Sequence, residues 1–392
     1  MIKRGTVVRL ILLLLIASVI TVGCMPSAGT VDKGWTSFVV EGSNLYAVRA
    51  TGDAVALDLE NSGALRWEYA VAAAGRPGCG IVQKPVASAP VNDPLGAVYG
   101  VPAVSDDLFL LGSSESSLIA LSTEDGQRLW NYPLDAAVVG GIAASEGVAY
   151  VGTVSGTVHA VDVATQKPVW AAPYATGDRV WSTPIVAGDV LYVASMDHMI
   201  HAIDRASGTQ KWTADLGGAI QGDVLLYEGV LYAGGIDRRL HAINAVDGSE
   251  LWVTEAAEAW VWGRPLVING AVLFTTLDGK LHGHAAADGS TLWQAVTLAG
   301  GSSAAPVAFQ DKALVATEGG QVYEVDPVAG TATEIYGATQ AEQRGGYLSA
   351  PVVRDGVVYL GSTYGFIVAL DPAARSPELW VYPSPSEEQP TK

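Results

Sequence analysis

The sequence is short of cysteine, of charge and of basic residues, and each shortage closes off a class of protein. Two Cys among 392 residues exclude a disulfide framework, a Cys-ligated zinc site and an iron–sulfur cluster. Charged residues make up 16%, against roughly 25% in an ordinary soluble chain. Lys and Arg number 22 against 40 Asp and Glu, a net charge of −18. The basic footprint that nucleic acid demands is therefore missing. No stretch carries a 3.6-residue apolar stripe over ten or more residues, which argues against a helical repeat. Gly-x-Ser-x-Gly, His-Glu-x-x-His and phosphate-loop patterns do not occur, nor does any dense calcium-ligand spacing. What is abundant is glycine, at 45 residues, and apolar side chains, at 49%. That is the composition of many short strands joined by tight turns around a sizeable core.

Lys3, Arg4 and Arg9 precede an apolar run from Leu10 to Val22 broken only by Ser18 and Thr21. Its length suits a secretory signal and is short for a membrane span. The run closes on Thr21-Val22-Gly23-Cys24, which resembles a bacterial lipobox, with Thr21 departing from the usual Leu or Val. The resemblance implies acylation of Cys24 and a body held outside the cytoplasm, periplasm-facing or at the cell surface. An ordinary cleaved signal and an uncleaved anchor are the other readings. Two or three acyl chains suffice for stable anchoring. Without residues 1–23 the net charge becomes −21. The expected organisation is a signal peptide at 1–23, a tether at 24–34, one folded domain at 35–382 and a disordered tail at 383–392. Cys79 is then a lone thiol.

One unit recurs along the rest of the chain. An Asp or a substitute, a Gly four places on and then a Trp appear at Asp204/Gly208/Trp212, Asn244/Gly248/Trp252, Ser122/Gly126/Trp130 and Ala285/Gly289/Trp293. Asp162/Trp170 lacks the Gly, and Asp58/Gly63/Trp67 and Asp371/Trp380 carry one extra turn residue. Asp326/Gly330 has Glu334 in place of Trp. From Trp130 to Trp293 the spacings are 40, 42, 40 and 41. Each unit holds four short apolar stretches alternating with period two, as in Val190–Ser195 and Met199–Asp204. Four strands per unit of this length make a propeller blade. The fold class is therefore all-β, a single eight-bladed β-propeller with four-stranded antiparallel blades, monomeric. Every blade ends on its own Trp strand, so closure rests on contacts between blades one and eight without strand exchange. The repeated Asp can bond turn amides, and the recurring Trp offers a flat surface for the crevice between blades. Ala202 and its counterparts Ala56, Ala120, Ala160, Ala242 and Ala369 are small where neighbouring blades approach.

Ala-x-Asp-x-x-x-Gly-x-x-x-Trp resembles the tryptophan-docking, PQQ-like repeat of quinoprotein-type propellers. An acidic lipoprotein built of one such propeller is similar to the BamB-type outer-membrane assembly proteins. The resemblance implies a non-catalytic, membrane-anchored scaffold with a protein partner, an outer-membrane β-barrel insertase in the BamB case. It also raises the alternative of a PQQ-dependent dehydrogenase or a small-ligand propeller using the central funnel. The Cys–Cys pair and long enclosing loops of those enzymes are lacking here. Carboxylates near the inner strands are Asp178, Glu258 and Glu342. Neither PQQ nor calcium is expected.

Three departures from the repeat invite function. The step from Trp67 to Trp130 is 63 residues, with the excess near 71–100, either a functional loop or a tolerated excursion. His159, His201, His241 and His282 share one repeat position, with Tyr323 in blade seven. With strands ~4.8 Å apart, equivalent atoms of adjacent blades stand ~10 Å apart, too far to share a metal, whose ligands sit at ~2 Å. His198 and His284 read as surface or turn residues. Finally, Trp35, Trp181 and Trp262 precede the inner strands of blades one, four and six, with Trp260, Arg179, Arg264, Arg344 and Tyr347 nearby in sequence. At a channel mouth these residues either hold a ligand or peptide or plug the funnel.

Overall fold

A computed structural model describes residues 34–70, 92–301, 304–337 and 344–384. The segments 1–33, 71–91, 302–303, 338–343 and 385–392 lie outside the described residues. With them go Cys24, Cys79, Glu342, the core of the insertion and most of the tail.

Eight separate antiparallel sheets follow one another along the chain. In each, the strand order is the chain order, running from an inner to an outer strand. Blade four is typical, with Ile185–Ala187, Val190–Ala194, Met199–Asp204 and Gln210–Asp215. The second and third strands read almost wholly apolar and are buried, as expected where both faces of a sheet are covered. Outer strands alternate between covered and exposed residues, as in Arg128–Pro133. Blade three departs from the rule. Its outer strand is split into Lys167–Pro168 and Tyr174–Ala175, both paired with Thr157–Asp162. Pro168 and Pro173 lack the amide hydrogens that a continuous strand would use.

The repeated residues have distinct tasks. The Asp side chain at the end of the third strand accepts turn amides, as Asp204 Oδ1 does from Ser207 N at 2.9 Å. The Ala two places earlier lies opposite the Trp of its own blade, Ala202 facing Trp212 and Ala369 facing Trp380. The indole needs that gap. In blade six the residue is Gly283, where a Cβ would sit 2.2 Å from Trp293. The rings then lean on the next blade's turn. Nε1 of Trp67 donates to Thr123 O at 2.8 Å, that of Trp170 to Arg205 O at 2.9 Å and that of Trp252 to Ala286 O at 3.1 Å. Trp293 donates likewise to Pro327 O at 3.1 Å. Trp212 lies over Gly248, and Trp130 packs in the cluster shared by blades two and three.

The ring closes without strand exchange. Blade one holds Ser37–Glu41 to Ala64–Tyr69 and blade eight Val352–Arg354 to Glu378–Tyr382. Across the seam Thr36 Oγ1 donates to Ser362 O at 2.7 Å, and Arg49 Nε donates to Gly365 O at 2.8 Å. Trp380 lies over Gly63.

Candidate functional site

Because strands alternate in direction, every inner strand begins at one end of its blade. The outer strand ends there too, and the turn between second and third strands lies beside it. We call this end the upper face. Its loops are stitched blade to blade. Gly177 N donates to Asp197 Oδ2 at 2.7 Å, Ile236 N to Ala219 O at 3.0 Å and Leu277 N to Trp260 O at 3.0 Å.

The heads of the inner strands form a tight neck around the axis. One position there is small in every blade, including Gly100, Gly140, Ser182, Gly222, Gly263 and Ala304. Added to Gly222, a Cβ would lie 1.8 Å from Trp262 O, and added to Gly100, 1.9 Å from Gly140 O. Backbones of adjacent blades therefore touch, and only small residues are tolerated. This neck is a signal in the sequence that the aromatic residues beside it obscured. One position earlier come Trp35, Tyr99, Trp181, Gln221 and Trp262, all half-buried. Trp35 meets Tyr99 edge-on at 5.1 Å. Trp181 Nε1 and Gln221 Oε1 are buried with no partner in the protein. These residues collar the axis.

One position past the neck, Asp223 accepts Thr183 N at 2.6 Å. Burial raises its pKa, and the hydrogen bond to Thr183 and the Arg264 charge draw it back down. The same position elsewhere holds Ser37, Val101, Gly141, Arg264, Ala305 and Ala350. A calcium-held quinone needs six to eight oxygen ligands, carboxylates among them. At this position Asp223 is the one carboxylate, and its counterparts include the cationic Arg264. Among the described residues no three His, Cys, Asp or Glu side chains gather as a metal-ligand set.

The eight residues expected at a channel mouth separate into three groups. Trp35, Trp181 and Trp262 belong to the collar. Arg179, Trp260 and Arg264 are exposed. Arg344 and Tyr347 are corrections. Both are buried between blades seven and eight. Arg344 Nη1 pairs with Glu378 Oε2 at 2.6 Å and donates to Tyr336 Oη at 2.8 Å. Tyr347 takes the place of Val138 and Val180, whose amides bond the preceding blade, and its own amide bonds Thr317 O at 3.0 Å. This polar cluster stands at the one junction where Glu334 replaces the Trp.

The histidines also differ from expectation in part. His284 is a core residue, not a surface one. It is buried, with Nδ1 at 2.9 Å from Gly289 O. Three members of the His column meet carboxylates, His159 with Asp135, His201 with Asp197 and His241 with Asp237. His282 instead stacks on Phe274 at 4.9 Å. Burial there holds its pKa down at about 4.

Sequence reading passed over Arg238, which is exposed in the upper-face turn of blade five. With Arg179 in blade four and Arg264 in blade six, it makes three guanidiniums in consecutive blades. None of the three has an ion-pair partner among the described residues. Exposed Trp260 and Leu277 adjoin each other on the same face.

The family model for the outer membrane protein assembly factor BamB matches residues 114–219 and 197–390. The chain belongs to the BamB family. Its structure is similar to that of BamB from Moraxella catarrhalis, with a TM-score of 0.68 and 20% identity over 85% of this chain and 92% of that one. It is also similar to the computationally designed Ika8 protein, with a TM-score of 0.66 and 14% identity over 86% and 96% of the two chains. At such identities these two likenesses speak for the propeller fold alone. No curated protein sequence matches the chain.

Proposed function

We propose that this BamB-family propeller is a non-catalytic extracytoplasmic lipoprotein, anchored through Cys24, that binds a protein partner in outer-membrane protein assembly. The expected partner is a β-barrel insertase. The binding surface is the upper face of blades four to six. One observation carries this reading: Arg179, Arg238 and Arg264 stand exposed and unpaired in a chain whose net charge is −18. An acidic protein has carboxylates to spare for neutralising its own guanidiniums, yet on this face Arg179 and Arg238 have no ion pair among the described residues, and Arg264 has only the nearby charge of Asp223. Arg and Trp are the residue types that dominate binding hot spots, and Trp260 adds the aromatic anchor. A partner element bearing carboxylates, with an apolar side chain for Trp260 and Leu277, complements this surface.

The test is a crosslinked pull-down of the intact protein from its own membranes, with the eluate scanned for quinone absorbance. A defined protein complex without chromophore, lost in the Arg179→Glu/Arg238→Glu variant, supports the proposal. Stoichiometric quinone and no protein partner would replace it with a cofactor-binding propeller.

A further inference from the structure

Arg238 lies in a turn next to a buried histidine. His241 is buried, at 4% exposure. Its Nε2 lies 2.9 Å from Asp237 Oδ2 and its Nδ1 lies 3.0 Å from Glu250 Oε2. An ionised carboxylate only accepts hydrogen bonds, and a neutral imidazole has one N–H. Two carboxylates on two ring nitrogens therefore require two ring protons, an imidazolium. Asp237 belongs to the upper-face turn and Glu250 to the outer strand, so the cation ties one to the other. The turn also has bonds of its own: Arg238 N donates to Gly235 O at 3.1 Å, Gly235 N to Arg239 O at 3.3 Å, Ile236 N to Ala219 O at 3.0 Å and Arg239 Nη1 to Thr254 O at 3.1 Å. Asp237 Oδ1 accepts Arg239 N at 3.2 Å, and Arg238 O accepts Ala257 N at 2.7 Å. Arg238 itself sits at φ 71°, a left-handed conformation uncommon outside glycine, as does His198 at φ 78° in the equivalent turn of blade four.

The equivalent His201, one blade earlier, provides the contrast. It too is buried, with Nε2 3.0 Å from Asp197 Oδ2, but its Nδ1 faces Tyr174 Oη at 2.9 Å. A hydroxyl can donate, so one ring proton satisfies His201. The two sites share a repeat position and an aspartate and differ in the third partner.

We propose that His241 is a positioning residue for the binding face, holding the Asp237–Arg239 turn and hence Arg238 in place only while its ring carries both protons. The charged groups acting on the ring are Asp237 from the turn and Glu250 from the outer strand. Both favour the cation and outweigh the burial that opposes it, whereas at His201 burial dominates and draws the ring's pKa down. As pH rises through its titration, His241 surrenders one hydrogen bond. Glu250, the more exposed partner, is released, and the turn loosens.

The inference rests on the proposed binding face for its biological meaning, but its test needs no partner. The full chain is labelled with 15N-histidine, His241 is assigned by the His241→Asn variant, and ring nitrogens are followed from pH 5.5 to pH 9 alongside amide exchange at Arg239 and Ala257. His241 is expected to hold two ring protons at neutral pH while His201 holds one. Once corrected for intrinsic exchange, the two amides should exchange about tenfold faster above the His241 titration, the loss of one charge-assisted hydrogen bond. Glu250→Gln keeps an acceptor but removes a charge, so both steps should move together to lower pH. A single ring proton on His241 at neutral pH overturns the proposal, and so does exchange that ignores its titration. If the steps appear but Arg238→Glu leaves partner capture intact, the proton switch stands and the binding face falls.

Discussion

The indole of Trp380, in the last strand of the propeller, lies flat on Gly63, in the last turn of the first blade. A Cβ on Gly63 would come within 2.7 Å of the ring, and the backbone there has φ +74°. Substitution Gly63→Ala therefore strains the turn and lifts the indole together. Overpacking of this kind costs about 1–3 kcal/mol. Chemical denaturation of Gly63→Ala against wild type reads it, and a loss below about 0.5 kcal/mol would show that the contact closes nothing.

Trp170 is 4% exposed and donates to the next blade. Trp170→Ala should lose about 3–5 kcal/mol, the usual result for a large aromatic removed from a core. Trp212, half-buried in the next blade, should lose somewhat less. Equal and negligible losses at both would end the view of these rings as ties between blades.

At the junction of blades seven and eight the tie is ionic. Removing one member of a buried pair leaves the other uncompensated, at a cost of about 3–5 kcal/mol when burial is complete. Glu378 retains 31% side-chain exposure, so Glu378→Ala should cost about 2–3 kcal/mol after allowing for solvent screening. The double variant Arg344→Met/Glu378→Leu should recover most of it. Hydrogen exchange should report opening at Tyr336 and Tyr347 before the Trp-tied junctions.

His282 gives stability a pH signature. Its folded pKa, about 4, lies below the ordinary value near 6.5. Its contribution is therefore fully present above pH 6.5 and is lost as pH falls toward 4. Stability curves for wild type and His282→Phe should converge or cross as acid is added over that window. Parallel curves would contradict a buried neutral ring.

Cys24→Ser should move the protein from the membrane to the soluble fraction. Unchanged fractionation would refute the lipobox reading.

Blade number and ring closure were legible because each rests on residues repeated at fixed spacing. Asp204 caps its turn and Trp170 leans on the next blade for reasons that hold wherever the unit recurs. Arg344 and Tyr347 were misplaced because the sequence leading into blade eight departs from the repeat, which there no longer fixes which residue heads the inner strand. His284 was misread for a similar reason: it lies two residues past the His column on the same buried strand, and counting turns alone put it outside. Arg238 escaped notice because nothing repeats it. What marks it is the lack of a countercharge, which only the fold reveals. His241 was visible as one of a repeated column, but its two carboxylates, Asp237 from the turn and Glu250 from the outer strand, come together on it only in the fold.

Each blade is a single uninterrupted stretch of chain, and this bears on how such a molecule can change. Where a propeller closes by lending a terminal strand to the first sheet, an inserted or deleted unit must still leave two matching half-blades at the ends. Here each blade, with Trp spacings of 40, 42, 40 and 41 from Trp130 to Trp293, is a complete module that meets its neighbours through side chains and through linker amides such as Val180 N, which donates to Thr153 O at 3.0 Å. A tandem duplication in the gene would thus add a whole blade. A permuted gene, cut in any exposed turn between blades, would still encode eight whole ones.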